Sequence, residues 1–69
     1  MPMIRVEMFA GRTADQKRAL AKALTEAFTS TCGGNAQSVH IVIDDIAKGN
    51  WAVGGSLCSD LYPDAPKDK

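Results

Sequence analysis

Few side chains in this 69-residue chain are placed to do chemistry, and the most unusual is the second. Met1 precedes Pro2, and an initiator methionine is generally removed before so small a residue, which would leave the Pro2 ring nitrogen as the amino terminus. A terminal proline is a secondary amine. On the first residue of a buried strand, desolvation and a nearby Arg12 cation both disfavour its protonated form, so Pro2 is expected to serve as a neutral base near neutral pH. His40 is the single imidazole and lies inside an extended run, far in sequence from any sharp nucleophile turn, so a hydrolytic triad is not expected.

Other sites of chemistry are disfavoured by spacing. No Gly-x-Gly-x-x-Gly or phosphate loop occurs, and Gly54-Gly55 does not stand between a strand and a long helix. Asp44 and Asp45 are adjacent, so in a strand they face opposite ways and do not form a metal pair; no Cys/His cluster has zinc spacing. No metal site is expected. Cys32 and Cys58 have no basic neighbour to activate a thiolate and permit at most one bridge.

Eight Lys and Arg balance eight Asp and Glu and are dispersed among them, which gives no footprint for a phosphate backbone. Nucleic acid is therefore not an expected partner. The apolar runs are too short to span a bilayer and the first residues lack signal-peptide character, so no membrane partner and a cytoplasmic address with reduced thiols are expected. Residues 1–69 read as one domain. A domain this short buries only about 60% of its unfolded surface. Neither a disulfide framework nor a metal is available to supplement so small a core, which leaves self-association.

The elements that must position Pro2 and His40 follow from periodicity. Ile4 to Phe9 alternates, with Ile4, Val6 and Met8 on one side and Arg5, Glu7 and Phe9 on the other, as in a half-buried strand. Thr13 and Gln16 fit a capping box, so a helix begins at Thr13. Gln16, Leu20, Leu24 and Phe28, flanked by Ala19, Ala23 and Ala27, predict its packed stripe, with Lys17, Arg18, Lys22 and Glu26 outside it. Gly33-Gly34 terminates the helix near Cys32. Val39 to Asp44 predicts a second strand, parallel to the first through the right-handed crossover of a β-α-β unit. Its uncovered face carries Val42 and Phe9, with no second helix in the sequence to cover them, so another subunit is expected to do so. Residues 51 to 55 predict a small hairpin, and a polar tail runs from Asp60, with about 62–69 flexible. The fold class is α/β: β-α-β plus a C-terminal β-hairpin, oligomeric.

The segments PMIRVEMFAGR from 2 to 12, TADQK after it, and VHIVIDDIAKGNWAVGG from 39 to 55 together resemble 4-oxalocrotonate tautomerase, the short-chain branch of the tautomerase superfamily. The resemblance runs from Pro2 to about Leu61. It implies a tautomerase-like, MIF-like fold, a homo-oligomeric hexamer built as a trimer of dimers, no cofactor, and a small-molecule carboxylate substrate of the kind met in aromatic degradation. By that resemblance Pro2 moves a proton between the 2-hydroxyl and C5 of an unsaturated dicarboxylate. Arg12 matches the arginine that binds a substrate carboxylate, and Trp51 the pocket aromatic, with Val53 and Phe9 as further apolar walls. His40 departs from the pattern, standing where the family has a second arginine supplied by a neighbouring subunit. An imidazole is shorter and cannot make a two-pronged carboxylate clamp. Relatives that add water to haloacrylates carry an arginine where this chain has Phe9, so a dehalogenase is not expected.

Three readings follow. The first is an isomerase acting on a 2-hydroxydienoate or related 2-oxo acid. The second keeps the fold and Pro2 but alters the substrate, because of His40. The third is a non-catalytic oligomeric module.

Overall fold

The computed structural model describes residues 2–63. Strand β1 (Met3–Phe9) leads through a short turn to helix α1 (Ala14–Cys32), and a 3-10 turn at Ala36–Ser38 leads into β2 (His40–Ile46). A second 3-10 turn, Lys48–Asn50, precedes β3 (Ala52–Val53), β4 (Ser56–Leu57) and the single helical turn α2 (Cys58–Leu61).

β1 and β2 pair in parallel, as a β-α-β crossover requires. One face carries Ile4 opposite Ile41, Val6 opposite Ile43 and Met8 opposite Asp45. The other carries Met3 opposite His40, Arg5 opposite Val42, Glu7 opposite Asp44 and Phe9 opposite Ile46. Helix α1 lies over the first face, where Lys17 makes an ion pair with Asp45. Asp44 and Asp45 do face opposite ways: the carboxylate of Asp44 accepts from Arg5 on the far side.

Helix α1 starts as the sequence predicts. The Gln16 N–H donates to the Thr13 hydroxyl at 3.1 Å, and the Thr13 N–H donates to the Gln16 side-chain oxygen at 2.9 Å, which closes the capping box. It continues through Thr29-Ser30-Thr31, where the Thr29 and Ser30 hydroxyls donate back to helix carbonyls at 3.1 and 3.3 Å. Gly33, with φ 88°, ends it and donates its N–H to the Thr29 carbonyl. The packed stripe is rotated from the predicted one. Leu20, Leu24 and Phe28 are half-buried, but their companions are Lys17, Ala21, Thr25 and Thr29; Gln16, Ala19, Ala23 and Ala27 are exposed. Gln16 is held at the cap, and Lys17 is drawn over the sheet by Asp45.

Three further differences are local. β2 begins at His40 and extends to Ile46, two residues beyond Asp44, because the Ile46 carbonyl accepts the Ala10 N–H at 3.0 Å and continues the ladder. The hairpin forms on Gly54 and Gly55, whose φ values of 62° and 87° are those of a two-residue turn that only glycine enters without strain. Asp60 and Leu61 belong to α2, where the sequence predicts the start of a polar tail; the Tyr62 N–H bonds back to the Cys58 carbonyl at 2.8 Å. Most of the tail expected at 62–69 lies outside the described residues.

Cys58, 1% exposed, is the one buried residue among those described. Among the same residues no helix is long and apolar enough to cross a membrane. Because the capping box satisfies two otherwise orphan N–H groups, Thr13→Ala is expected to lower stability by about 1 kcal/mol. Thr13→Ser should restore most of it in urea unfolding at fixed protein concentration.

Candidate active site

The candidate residues fall into separate groups at the two ends of β1. At the start, Pro2 is half-buried and its carbonyl accepts the His40 N–H at 2.9 Å. Proline has no N–H to give a ladder, so its place immediately before β1 costs the sheet no bond. Met3 is paired with His40, which puts the exposed imidazole on the face that α1 leaves open, next to Pro2.

At the other end Phe9 meets Trp51, ring centroids 4.6 Å apart and planes at 62°, the edge-to-face geometry that aromatic quadrupoles favour. Trp51 is fixed by its backbone: its N–H donates to the Lys48 carbonyl at 3.3 Å and its carbonyl accepts the Cys58 N–H at 2.7 Å. The Lys48 ammonium lies 5.8 Å from the Phe9 ring centre and donates to the Tyr62 carbonyl at 2.8 Å. Ala10, Ala47, Lys48, Gly49, Ser59 and Tyr62 line an open groove of about 330 Å³ beside this cluster. Val53 is on β3, 56% exposed.

Arg12 follows Gly11, whose φ of 126° turns the chain out of β1. The exposed guanidinium does not join the aromatic pair. It lines a hollow of about 200 Å³ with Met8, Gln16, Lys17 and Leu20, on the side of the sheet that α1 covers.

A strand rises about 3.3 Å per residue, so the seven steps from Pro2 to Phe9 span about 23 Å. Within one chain, therefore, Phe9 and the Trp51 ring packed on it stand at the end of β1 far from Pro2, and Arg12, in the hollow beside Met8, lies toward that end too. Of the residues singled out in the sequence, the chain brings together Pro2 with His40, and Phe9 with Trp51. It does not bring these pairs to each other. Lys48, Cys58 and Tyr62 were not singled out as site residues, yet they hold the aromatic end. The one local signal for them is the Gly54-Gly55 turn, which folds Cys58 back on Trp51.

The family model described as tautomerase enzyme matches residues 2–61. A probable tautomerase of Streptococcus pneumoniae is 40% identical over 57 residues, covering 83% of this chain and 95% of the relative. The crystal structure of apo unfused 4-oxalocrotonate tautomerase superposes with a TM-score of 0.83 at 38% identity, covering 88% of this chain and all of that one. A heterohexamer 4-oxalocrotonate tautomerase from Chloroflexus aurantiacus has a chain matching with a TM-score of 0.82 at 31% identity, covering 88% of this chain and 98% of that one.

Trp51 is the single tryptophan, so its emission reports on the aromatic end directly. Phe9→Ala removes the ring against its edge and should red-shift that emission, with a loss of about 0.5–1.5 kcal/mol beyond the area effect. Phe9→Tyr should leave the spectrum near that of the parent.

Proposed function

The chain belongs to the tautomerase family, in the branch of 4-oxalocrotonate tautomerase, and from that premise we propose that it is an isomerase whose general base is the Pro2 nitrogen. The substrate is a 2-hydroxydienoate or a related 2-oxo acid. The neutral amine takes the proton of the 2-hydroxyl, the electron pair left on oxygen forms the 2-keto bond, and the conjugated double bonds move one place along. The protonated amine then returns the proton at C5. Atoms and electrons balance without a metal or an organic cofactor.

Arg12 binds a substrate carboxylate through its planar fork. Trp51, with Phe9 and Val53, walls the site and keeps the amine dry, so that its neutral form prevails. His40 stands beside Pro2 as a single-point contact for the substrate. The separation of about 23 Å between the two ends of β1 supports an assembled site, with Pro2 from one chain and the aromatic end and Arg12 from others. A homo-oligomer, a hexamer of three dimers, meets that requirement. The heterohexamer among the similar structures is itself a multi-chain assembly of this fold.

The observation that carries this reading is the position of Pro2: half-buried, immediately before β1, and tied through its carbonyl to the His40 N–H. Intact mass should show Met1 removed, since a retained methionine would convert the amine to an amide. Pro2→Ala replaces a fixed ring nitrogen by a freely rotating amine and is expected to lower kcat/KM by about 10² or more on a 2-hydroxydienoate. Arg12→Ala is expected to act mainly on KM. A cleaved protein whose Pro2→Ala form keeps its full rate would instead indicate a non-catalytic module or another base.

A further inference from the structure

We propose that Lys17 is a positioning residue for Arg12: by holding Asp45 it keeps that carboxylate from capturing the Arg12 guanidinium, which stays open to the substrate. This rests on the reading of Arg12 as the binder of a substrate carboxylate, and it adds what keeps the fork available.

An acid beside an arginine that must bind an acid is a competitor, and Asp45 is placed to be one. On the α1 side of the sheet it is the single carboxylate, among Ile4, Val6, Met8, Ile41 and Ile43. It stands opposite Met8, one strand spacing of about 4.8 Å away, and Met8 lines the hollow that Arg12 shares with Lys17. The backbone leads the arginine to the same place. The Ala10 N–H bonds to the carbonyl of Ile46, the residue after Asp45, and the chain reaches Arg12 directly beyond Gly11.

Lys17 occupies the competitor. Its ammonium pairs with Asp45, while the Arg12 side chain enters none of the ion pairs among the described residues. With side chains 32% and 35% exposed, the Lys17–Asp45 pair is the most sheltered of these. A carboxylate in such a place is costly to leave without a cation. Once Lys17 is gone, the cation that shares the hollow is Arg12, whose planar fork grips a carboxylate better than an ammonium does. A captured Arg12 must be released before a substrate carboxylate can take it. Binding weakens, and proton transfer at Pro2 is left as it was.

The same pair also ties α1 to β2, and a purely structural role predicts a different outcome. The two separate in steady-state turnover of 2-hydroxypentadienoate, the smallest acid of the proposed class, by the assembled protein. Lys17→Met keeps the apolar stem and is expected to raise KM about fivefold with kcat within about twofold of the parent. Lys17→Arg preserves the pair and should keep the parent KM. Adding Asp45→Asn to Lys17→Met removes the competitor together with its keeper, and KM should return to within about twofold of the parent. That recovery is expected although the double variant has lost the tie between helix and sheet altogether.

A Lys17→Met protein with unchanged KM overturns the assignment. So does a double variant whose KM stays as high as that of Lys17→Met, or a Lys17→Met protein that no longer assembles, since both are the outcome of a structural tie. Arg12→Ala tells this failure from that of the underlying reading. If KM rises in Arg12→Ala and not in Lys17→Met, Arg12 binds the carboxylate without help from Lys17. An Arg12→Ala protein with the parent KM overturns both.

Discussion

A parallel pair of strands cannot bury itself, and the rest of the molecule answers to that limit. β1 and β2 bond to each other, α1 covers one face, and among the described residues only Cys58 is removed from water. The stripe of α1 and the inner face of the sheet remain half-buried, because a two-stranded platform is narrower than the helix laid across it. So small a chain is marginal as a monomer. The same limit governs the site: strands hold residues at fixed register, but they hold them at the two ends of a long line.

The composition of the open face is informative in this light. A solvated face would be polar throughout, and a buried one apolar. Here Met3, Val42, Phe9 and Ile46 share the face with Arg5, Glu7, His40 and Asp44. Met3 is 58% exposed at the Pro2 end, whereas Phe9 at the other end is covered by Trp51. Apolar residues among compensated charges are the pattern of a face that meets a second protein surface while retaining specific polar contacts. The charge on this face is already balanced in part by the Arg5–Asp44 pair, so covering it leaves no lone guanidinium to desolvate.

Much of the fold was legible in the sequence because the signals were local. The Thr13 and Gln16 box, the stop at Gly33, the alternation of β1 and the Gly54-Gly55 turn each act within a few residues, and each has its predicted partner. The misreadings were tertiary. Which alanines flank the helical stripe depends on the reach of Lys17 to Asp45, a contact between elements far apart in sequence. The extension of β2 to Ile46 depends on Ala10, and the helical turn at Asp60 depends on the hairpin that delivers Cys58 to Trp51. Pro2, Arg12 and Trp51 were picked out by residue type and by resemblance to a family. Neither carries distance, and the length of β1 alone separates the first from the other two.

Residue 40 shows how backbone and side chain divide the work at the amino-terminal end. Chain ends fray unless tied down. Pro2 is restrained twice, by a ring that fixes its φ and by a carbonyl bonded to the residue 40 N–H. The second restraint comes from the main chain of β2 and is indifferent to the side chain there. An arginine or a histidine at 40 would hold the nitrogen in the same place. The side chain sets a different property, namely what stands on the open face at this end of the sheet and how far it reaches. The position can therefore change its ligand chemistry without disturbing the base, while a change in the strand pairing would disturb both.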